Sequence, residues 1–243
     1  MTDQQIQEVE TMILVISRLV KNGEVVVVGT LSPIPAAAVY LAQLHHAPDL
    51  VAKIHGDPEA RGTDGLLESF SLFHRGIVDL FFLSCVQMDQ CGNFNLSAVG
   101  DYDRPKVRFA GGAGSNMISM MAKRTIFFTT THTQRLFVPQ VDFVSGRARD
   151  DSISWRRGSM SHMVTPICLM KYDSDKRRIT LDSTYPGVDV DRVVTNTGFD
   201  LGIDGRKIRE IDPVTDEELD LLRVTVLEKL WKVYPLFCSA VWG

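Results

Sequence analysis

The first 54 residues alternate between helical and buried-strand patterns, and this alternation constrains the fold more than any other feature. Apolar residues at helical spacing mark the helices, and short apolar runs mark the strands. The predicted elements are a helix over 4–21, a strand over 24–28, a helix over 35–44 and a strand over 50–54. Strands that alternate with helices in this way form parallel sheets. We therefore predict an α/β protein with a mainly parallel sheet.

The rest of the chain continues with mixed helical and strand patterns. We predict helices over 66–73, 116–122 and 216–233, and strands over 80–83, 124–130, 141–144, 167–171 and 178–181. The last two strands flank an Asp-Ser-Asp turn and are expected to form a hairpin. A long polar segment, residues 87–116, lies inside the predicted domain, and segments of this kind are usually functional. Without internal repeats or linkers, residues 1–243 are predicted to form a single domain.

Charge and composition exclude several function classes. The net charge of −4 does not fit a nucleic-acid-binding protein, which is expected to be basic. The four cysteines form no CxxC pair and no zinc-binding pattern, so we expect reduced thiols and no metal. The acidic, polar N-terminus is not a signal peptide, and the longest apolar runs are too short to span a bilayer. We expect a cytoplasmic protein that binds neither nucleic acid nor membrane.

A glycine-rich segment between a predicted strand and a predicted helix is a candidate binding site. Its residues are Gly111, Gly112, Ala113, Gly114, Ser115 and Asn116. Small residues let the backbone approach a ligand, and the start of a helix favours anions such as a carboxylate, a phosphate or a thioester oxygen. The segment lacks the dinucleotide-binding and P-loop patterns. The structural alternative is a tight strand-to-helix turn.

Two asparagines, Asn93 and Asn95, form a second candidate site. In an extended segment they lie on the same face, so both amides can point at one ligand. The alternative is a turn built from Asn and Gly.

His55 is the candidate catalytic residue. It ends the second predicted strand and opens a glycine-containing loop, and open α/β sheets bind ligands at the carboxyl ends of their strands. The other histidines lie at predicted helix ends or in loops, where a solvated or structural role is expected. The chain has no GxSxG nucleophile elbow.

Six segments, in family order and with similar spacing, resemble the B subunits of glutaconate CoA-transferase and its relatives among the class I CoA-transferases. They are KNGEVVVVGT (21–30), HAPD (46–49), the Gln/Asp/Asn motif at 87–95, GDYDRPKVRFAGGAGSN (100–116), VDFVSG (141–146) and YPGVDVDRVVTNTGFDL (185–201). The segment 100–116 is the most specific of them.

This resemblance implies a fold, a partner and a substrate class. The fold is an open, mainly parallel sheet of the CoA-transferase type with helices on both faces. The implied partner is a separate A subunit, in a heterodimer or an A2B2 assembly with the active site at the A/B interface. The implied substrates are acyl-CoA thioesters, often of dicarboxylic acids. Coenzyme A is then part of the substrate, and no other cofactor is expected.

The sequence departs from the family at the catalytic position. In the transferases a glutamate of the B chain attacks the thioester and carries CoA as a covalent glutamyl thioester. The resemblance places His55 at this position, and Glu59 lies four residues further on. An imidazole cannot form that intermediate, but it is suited to proton transfer.

We therefore expect decarboxylation or hydrolysis of a glutaconyl-type acyl-CoA, as in family branches that lack the glutamate. His55 is expected to act as general acid or base, and the glycine-rich segment and the two asparagines to bind substrate. Two alternatives stay open. One is a true CoA-transferase whose nucleophile is Glu59 or a carboxylate of the A subunit, and the other is a non-catalytic acyl-CoA-binding subunit.

Overall fold

The predicted alternation of helices and parallel strands is present at the start of the chain. The computed structural model describes residues 1–60, 63, 65–203 and 205–243. The first elements are α1 (Asp3–Leu19), β1 (Val25–Val28), α2 (Pro33–His45), β2 (Val51–Ile54), α3 (Leu66–His74) and β3 (Leu80–Leu83). Strand β1 pairs in parallel with both β2 and β3. The last three valines of β1 are buried, which explains the unbroken apolar run in the sequence.

The chain divides into two compact units. The first unit contains Met1–Phe82 and Asp212–Gly243, and the second contains Leu83–Ile211. The first unit is therefore completed by the C-terminal helices. That residues 1–243 act as a single domain stays a prediction.

The second unit contains all the remaining strands of the described chain. Its elements are β4 (Gln87–Met88), β5 (Asn93–Asn95), β6 (Ala98–Val99), β7 (Val107–Arg108), α4 (Ser115–Met121), β8 (Arg124–Phe128), β9 (Gly146–Arg147), β10 (Ser159–Val164), β11 (Cys168–Asp173), β12 (Arg178–Thr184), α5 (Val190–Thr195) and β13 (Arg209–Glu210). Strand β10 is parallel to β8, and β12 is parallel to β13. The β11–β12 hairpin is antiparallel, as predicted, and β10 pairs with it through β11. Four of the pairings named above are parallel and two are antiparallel, so the predicted mainly parallel α/β class is confirmed.

Two local predictions need correction, and one strand was missed. The predicted strand 141–144 is wrong, because these residues form bends in which the Asp142 carboxylate accepts hydrogen bonds from Gln87 and Gly100. Strand β10 was not predicted, because its serines and histidine hide the alternation that marks a strand. The predicted helix 216–233 is not uniform. It consists of α6 (Asp216–Asp220), a π-helical segment (Leu221–Val226) and α7 (Leu227–Val233), and α8 (Pro235–Trp242) follows.

Two carboxylates join the C-terminal helices to α1. Glu10 is 3% exposed and accepts hydrogen bonds from the Arg223 guanidinium at 2.7 and 2.9 Å and from the Trp242 indole at 3.1 Å. Glu218 accepts two hydrogen bonds from Arg18, at 2.6 and 2.7 Å. Since a buried carboxylate is stable only when it is paired, these contacts fix the position of the helices that complete the first unit. None of the described helices combines the length and apolar character needed to cross a membrane.

Candidate functional site

His55 follows the last residue of β2, at the carboxyl end of the strand. Its backbone N–H donates to the Val28 carbonyl of β1 over 3.0 Å, continuing the parallel pairing by one residue. The backbone of His55 is thus fixed at the edge where open α/β sheets place their ligands. This is the location predicted from the sequence.

The imidazole of His55 is half-buried and contacts α3. Its Nε2 atom lies 3.1 Å from the hydroxyl oxygen of Ser69, which is itself 2% exposed. Burial lowers the pKa of His55 below its ordinary value of 6.5. The ring is therefore neutral at neutral pH, which is the form that accepts a proton.

A tight turn presents the imidazole. The Asp57 N–H donates to the Ile54 carbonyl over 3.1 Å, so His55 and Gly56 occupy the two central positions of a four-residue turn. Gly56 has φ +97°, a conformation that favours glycine. The Ile54 N–H donates to the Ala60 carbonyl over 3.1 Å and closes the loop 54–60 behind the turn.

Asp57 is the buried centre of this loop, and it was not singled out from the sequence. The side chain is 7% exposed. It accepts a hydrogen bond from the Tyr40 hydroxyl at 2.5 Å and another from the Glu59 N–H at 2.8 Å. Burial and the Asp57 carboxylate both raise the pKa of Tyr40 far above 10, so the phenol remains a donor at physiological pH. Tyr40 is a polar aromatic residue in the alanine-rich helix α2, which is a visible feature of the sequence. No local sequence pattern, however, indicates that it contacts Asp57.

Glu59, the alternative nucleophile, lines a cavity in the first unit. The cavity has a volume of about 380 Å³ and is lined by residues of α2, the loop 54–60 and α7, including Tyr40, Asp57, Glu59, Lys229 and Lys232. Its lining does not include His55. Glu59 and two lysines therefore line the same cavity.

The glycine-rich segment forms an exposed turn before α4, as the structural alternative expected. Gly111, Ala113 and Gly114 have positive φ angles of +87°, +43° and +91°. The Ser115 N–H and hydroxyl both bond to the Gly112 carbonyl, which holds the turn together. In the described chain, no N–H from Gly111 to Gly114 donates to another residue. Free backbone donors of this kind are suited to an oxygen of a ligand, and substrate binding here stays a prediction.

Asn93 and Asn95 lie together on β5 but make different contacts. The Asn95 amide is fully buried and bonds to Gln87 and to the backbone of Ser97 and Ala98. The Asn93 amide is half-buried and donates to Asp89 over 2.9 Å. Through these bonds both asparagines hold the surrounding loops in place. Their contacts with a substrate stay predictions.

Asn116 lines a further cavity in the second unit, together with arginines that were not predicted as site residues. The cavity has a volume of about 280 Å³ and includes Gly146, Arg147 and Arg156 in its lining. Asn93 and Asn95 are not part of this lining, and His55 belongs to the other unit. The structure thus groups Asn116 with cationic side chains.

Metal-binding chemistry was not expected from the sequence. In the ranges 1–60, 65–203 and 205–243, no group of three or more His, Cys, Asp or Glu side chains is arranged to hold a metal ion. The four cysteines are free thiols, and burial raises the pKa of both Cys85 and Cys168 to about 12, which disfavours a nucleophilic role.

Three relatives of similar length represent what the comparison with known proteins found. The B subunit of 3-oxoadipate CoA-transferase from Pseudomonas knackmussii is 28% identical over 241 residues, covering 88% of this chain and 91% of that protein. The B subunit of glutaconate CoA-transferase from Acidaminococcus fermentans is 28% identical over 225 residues, covering 80% and 83%. The IpdB subunit of the cholesterol ring-cleaving hydrolase from Rhodococcus jostii is 30% identical over 213 residues, covering 79% and 81%.

The fold is also that of a solved enzyme. The crystal structure of the decarboxylase AibA/AibB matches with a TM-score of 0.77 at 19% identity, covering 97% of this chain and 98% of that one. The sequence profile of the coenzyme A transferase family matches residues 49–196, which is more than half of the chain. The chain therefore belongs to the coenzyme A transferase family.

Proposed function

We propose that this chain is the B subunit of a heteromeric enzyme that decarboxylates or hydrolyses a dicarboxylic, glutaconyl-type acyl-CoA. The subunit assignment is supported by the relatives, which are named as B-type subunits and match over about four fifths or more of their length. The partner is then a CoA-transferase-like A subunit, in a heterodimer or an A2B2 assembly. Coenzyme A enters as part of the substrate.

The observation that carries the proposed reaction is the imidazole at the carboxyl end of β2. In the sequence resemblance, His55 stands where the transferases carry their glutamate. Its ring is half-buried, bonded to Ser69 and neutral at neutral pH. Such a group transfers protons well but cannot store CoA as a stable thioester.

Both candidate reactions use this proton chemistry. In hydrolysis the neutral imidazole takes a proton from water as the water oxygen attacks the thioester carbon, and the proton then goes to the departing CoA thiolate. In decarboxylation the substrate carboxylate loses CO₂ and its electron pair spreads into the thioester carbonyl. The neutral imidazole then relays a proton from water to the carbon, and the hydroxide left behind combines with CO₂ as bicarbonate. In either reaction the oxygen that becomes negative is stabilised by hydrogen-bond donors, and free backbone N–H groups are suited to that role.

The alternative of a true CoA transfer through Glu59 has less support. The carboxylate of Glu59 lines the cavity with Lys229 and Lys232, and the Glu59 N–H is bonded to Asp57. The loop 54–60 is closed by backbone hydrogen bonds, so Glu59 cannot replace His55 without opening it. A carboxylate of the partner chain is the remaining route to transfer.

The test is a reaction of the assembled complex with defined CoA esters. We would co-express the chain with a CoA-transferase-like A subunit and supply glutaconyl-CoA with and without acetate, following CoA species by mass spectrometry. We expect an acyl-CoA lighter by one CO₂, or free CoA, in amounts independent of acetate. Acetyl-CoA that forms only with acetate would show CoA transfer and overturn the proposal.

Two variants sharpen this test. His55→Gln should reduce decarboxylation or hydrolysis at least a hundredfold, since general acid–base catalysis contributes about 10²–10⁴-fold. Glu59→Gln is the matched control and should leave that activity unchanged. Loss of activity in Glu59→Gln, but not in His55→Gln, would assign the chemistry to the carboxylate.

A further inference from the structure

The loop 54–60 buries a carboxylate two residues after the imidazole. Asp57 is 7% exposed, whereas Glu59 in the same loop is exposed. An ionised carboxylate is costly to bury unless it is hydrogen-bonded. Asp57 meets this requirement with two donors, the Tyr40 hydroxyl of α2 and the Glu59 N–H of its own loop.

These two donors connect the loop to a rigid part of the first unit. Tyr40 is 3% exposed, and α2 is buried along most of its length around this residue. The bond from Tyr40 therefore anchors Asp57 to the core, and the bond from Glu59 fixes the direction in which the chain leaves Asp57. On the other side, the Asp57 N–H bonds to Ile54 and so defines the turn that carries His55.

We propose that Asp57, held by Tyr40, is a positioning residue that fixes the turn presenting His55 and keeps the Glu59 carboxylate away from the imidazole's position. The inference rests on the proposed function of His55 as the acid–base group. In the absence of the Tyr40–Asp57 bond, the buried carboxylate lacks one of its two donors and moves towards water. The turn then loosens and the imidazole becomes hydrated.

Charged side chains lie close to the loop 54–60. Lys229 lies over the Tyr40 ring, with its Nζ atom 5.6 Å from the ring centroid, and Lys232 and Glu59 line the same cavity. Burial is the cause of the lowered pKa of His55. The pKa of His55 is therefore a direct report of how well the loop shields the ring from water.

The first test is Tyr40→Phe, which removes the donor and keeps the ring. The matched control is Tyr234→Phe in the same unit. The Tyr234 hydroxyl is buried and makes no hydrogen bond of ordinary geometry, although the Ser32 backbone and the Asp57 carboxylate are close enough to influence it. We would titrate His55 by NMR in the histidine-labelled full chain, with His55→Gln to assign its signal among the six histidines.

We expect the pKa of His55 to rise towards 6.5 in Tyr40→Phe and to stay unchanged in Tyr234→Phe. In the complex with the A subunit, kcat should fall about tenfold in Tyr40→Phe with little change in KM, since a hydrogen bond to a charged group is worth at least that factor. A variant that loses thermal stability but keeps both the His55 titration and kcat would reduce the pair to a structural role and overturn the proposal.

Asp57→Asn provides a second route to the same answer. An asparagine cannot accept hydrogen bonds from both donors with the geometry of the carboxylate, so the loop should loosen as in Tyr40→Phe. The double variant Tyr40→Phe/Asp57→Asn should then have a kcat no lower than that of the less active single variant, because both substitutions act through the Tyr40–Asp57 contact. Additive losses of kcat would contradict the proposal.

These outcomes are separable from failure of the proposed function. If the complex transfers CoA to acetate, the proposed reaction is wrong, yet the NMR titration still tests whether Tyr40 and Asp57 shield His55. If decarboxylation or hydrolysis is found and the titration does not move, the reaction stands and the positioning role is wrong.

Discussion

The Nε2 atom of His55 and the hydroxyl oxygen of Ser69 lie 3.1 Å apart and share a hydrogen bond between the end of β2 and α3. Ser69 lies in the interior of α3 and is 2% exposed, so its hydroxyl has little freedom to move. This bond limits rotation of the ring and leaves Nδ1 as the other ring nitrogen available for chemistry. Helix α3 therefore contributes to the site, although no sequence motif indicates its involvement.

Replacing Ser69 with alanine should weaken catalysis without greatly weakening the fold. A single neutral hydrogen bond is worth about 1 kcal/mol, so we expect kcat of the complex to fall about fivefold, with KM nearly unchanged. Steady-state kinetics with the acyl-CoA substrate measures this split. Ser71→Ala is the control, because Ser71 lies on the same helix with an exposed side chain. Equal losses in both variants would remove Ser69 from the site.

His132 should make the second unit sensitive to acid. Its ring nitrogens lie 3.0 Å from the Thr165 hydroxyl and 2.9 Å from the Thr197 hydroxyl. Burial, together with the positive charge of Arg192, lowers the pKa of His132 to about 4. In the unfolded chain the His132 imidazole binds a proton at about pH 6.5, whereas in the folded chain it does so only at about pH 4. Its contribution to stability is therefore complete above pH 6.5 and is lost as the pH falls to about 4.

The expected loss is on the order of 2–3 kcal/mol between pH 7 and pH 4, measured as the free energy of unfolding in urea. His132→Gln should be less stable than the wild type at pH 7 but should show a smaller decrease on acidification. His45→Gln, at an exposed helix end, should follow the wild type throughout. An unchanged pH dependence in His132→Gln would assign the acid sensitivity to other groups.

The elements predicted from sequence are those whose signals are local. Strand β1 is buried along its valines, and α1 is buried along one face. Both kinds of burial produce a pattern of apolar residues that can be read directly from the sequence. Strand β10 was missed because its residues include Ser159, Ser161 and His162, so neither an apolar run nor a clean alternation marks it. Its place beside β8 comes from pairing with a strand more than thirty residues away, which local patterns do not report.

In the candidate site, too, features with a local sequence signal were predicted and contacts between distant residues were not. The position of His55 was predicted because a strand end followed by a glycine is a local signal. The contacts of His55 with Ser69, and of Asp57 with Tyr40, join residues 14 and 17 positions apart across different elements. Nothing in the sequence alone indicates that these side chains meet, since their contact depends on how α2 and α3 pack against β2.

Gly146 should not tolerate a side chain. A Cβ atom at this position would lie 2.4 Å from the ring of Phe94, which is completely buried, and 3.0 Å from the amide oxygen of Asn116. Overpacking of this kind costs about 1–3 kcal/mol, so Gly146→Ala should lower the free energy of unfolding by that amount. Gly112→Ala is the control, since its Cβ would meet only Leu96 and Ser115 at ordinary contact distances.

Urea denaturation of both variants measures this difference. Because the Asn116 side chain must move to admit the new methyl group, Gly146→Ala should also alter the cavity that contains Asn116 and Arg147. Equal stability of the two variants would show that the segment around Gly146 shifts without cost.

Leu31 should be less favourable than glycine at its position. Its φ angle of +56° lies in the left-handed region, and its side chain is 84% exposed, so it gains little from burial. The left-handed conformation costs an L-residue about 1–2 kcal/mol, and a glycine avoids this cost. Part of the resulting gain in stability is lost, because glycine makes the unfolded chain more flexible. We expect Leu31→Gly to raise the free energy of unfolding by about 0.5–1 kcal/mol, measured from the urea midpoint at constant m-value. Leu31→Ala also removes the side-chain atoms beyond Cβ but keeps the Cβ atom, so it should not raise the free energy of unfolding. A gain of equal size in both variants would trace the effect to the exposed side chain and not to the backbone.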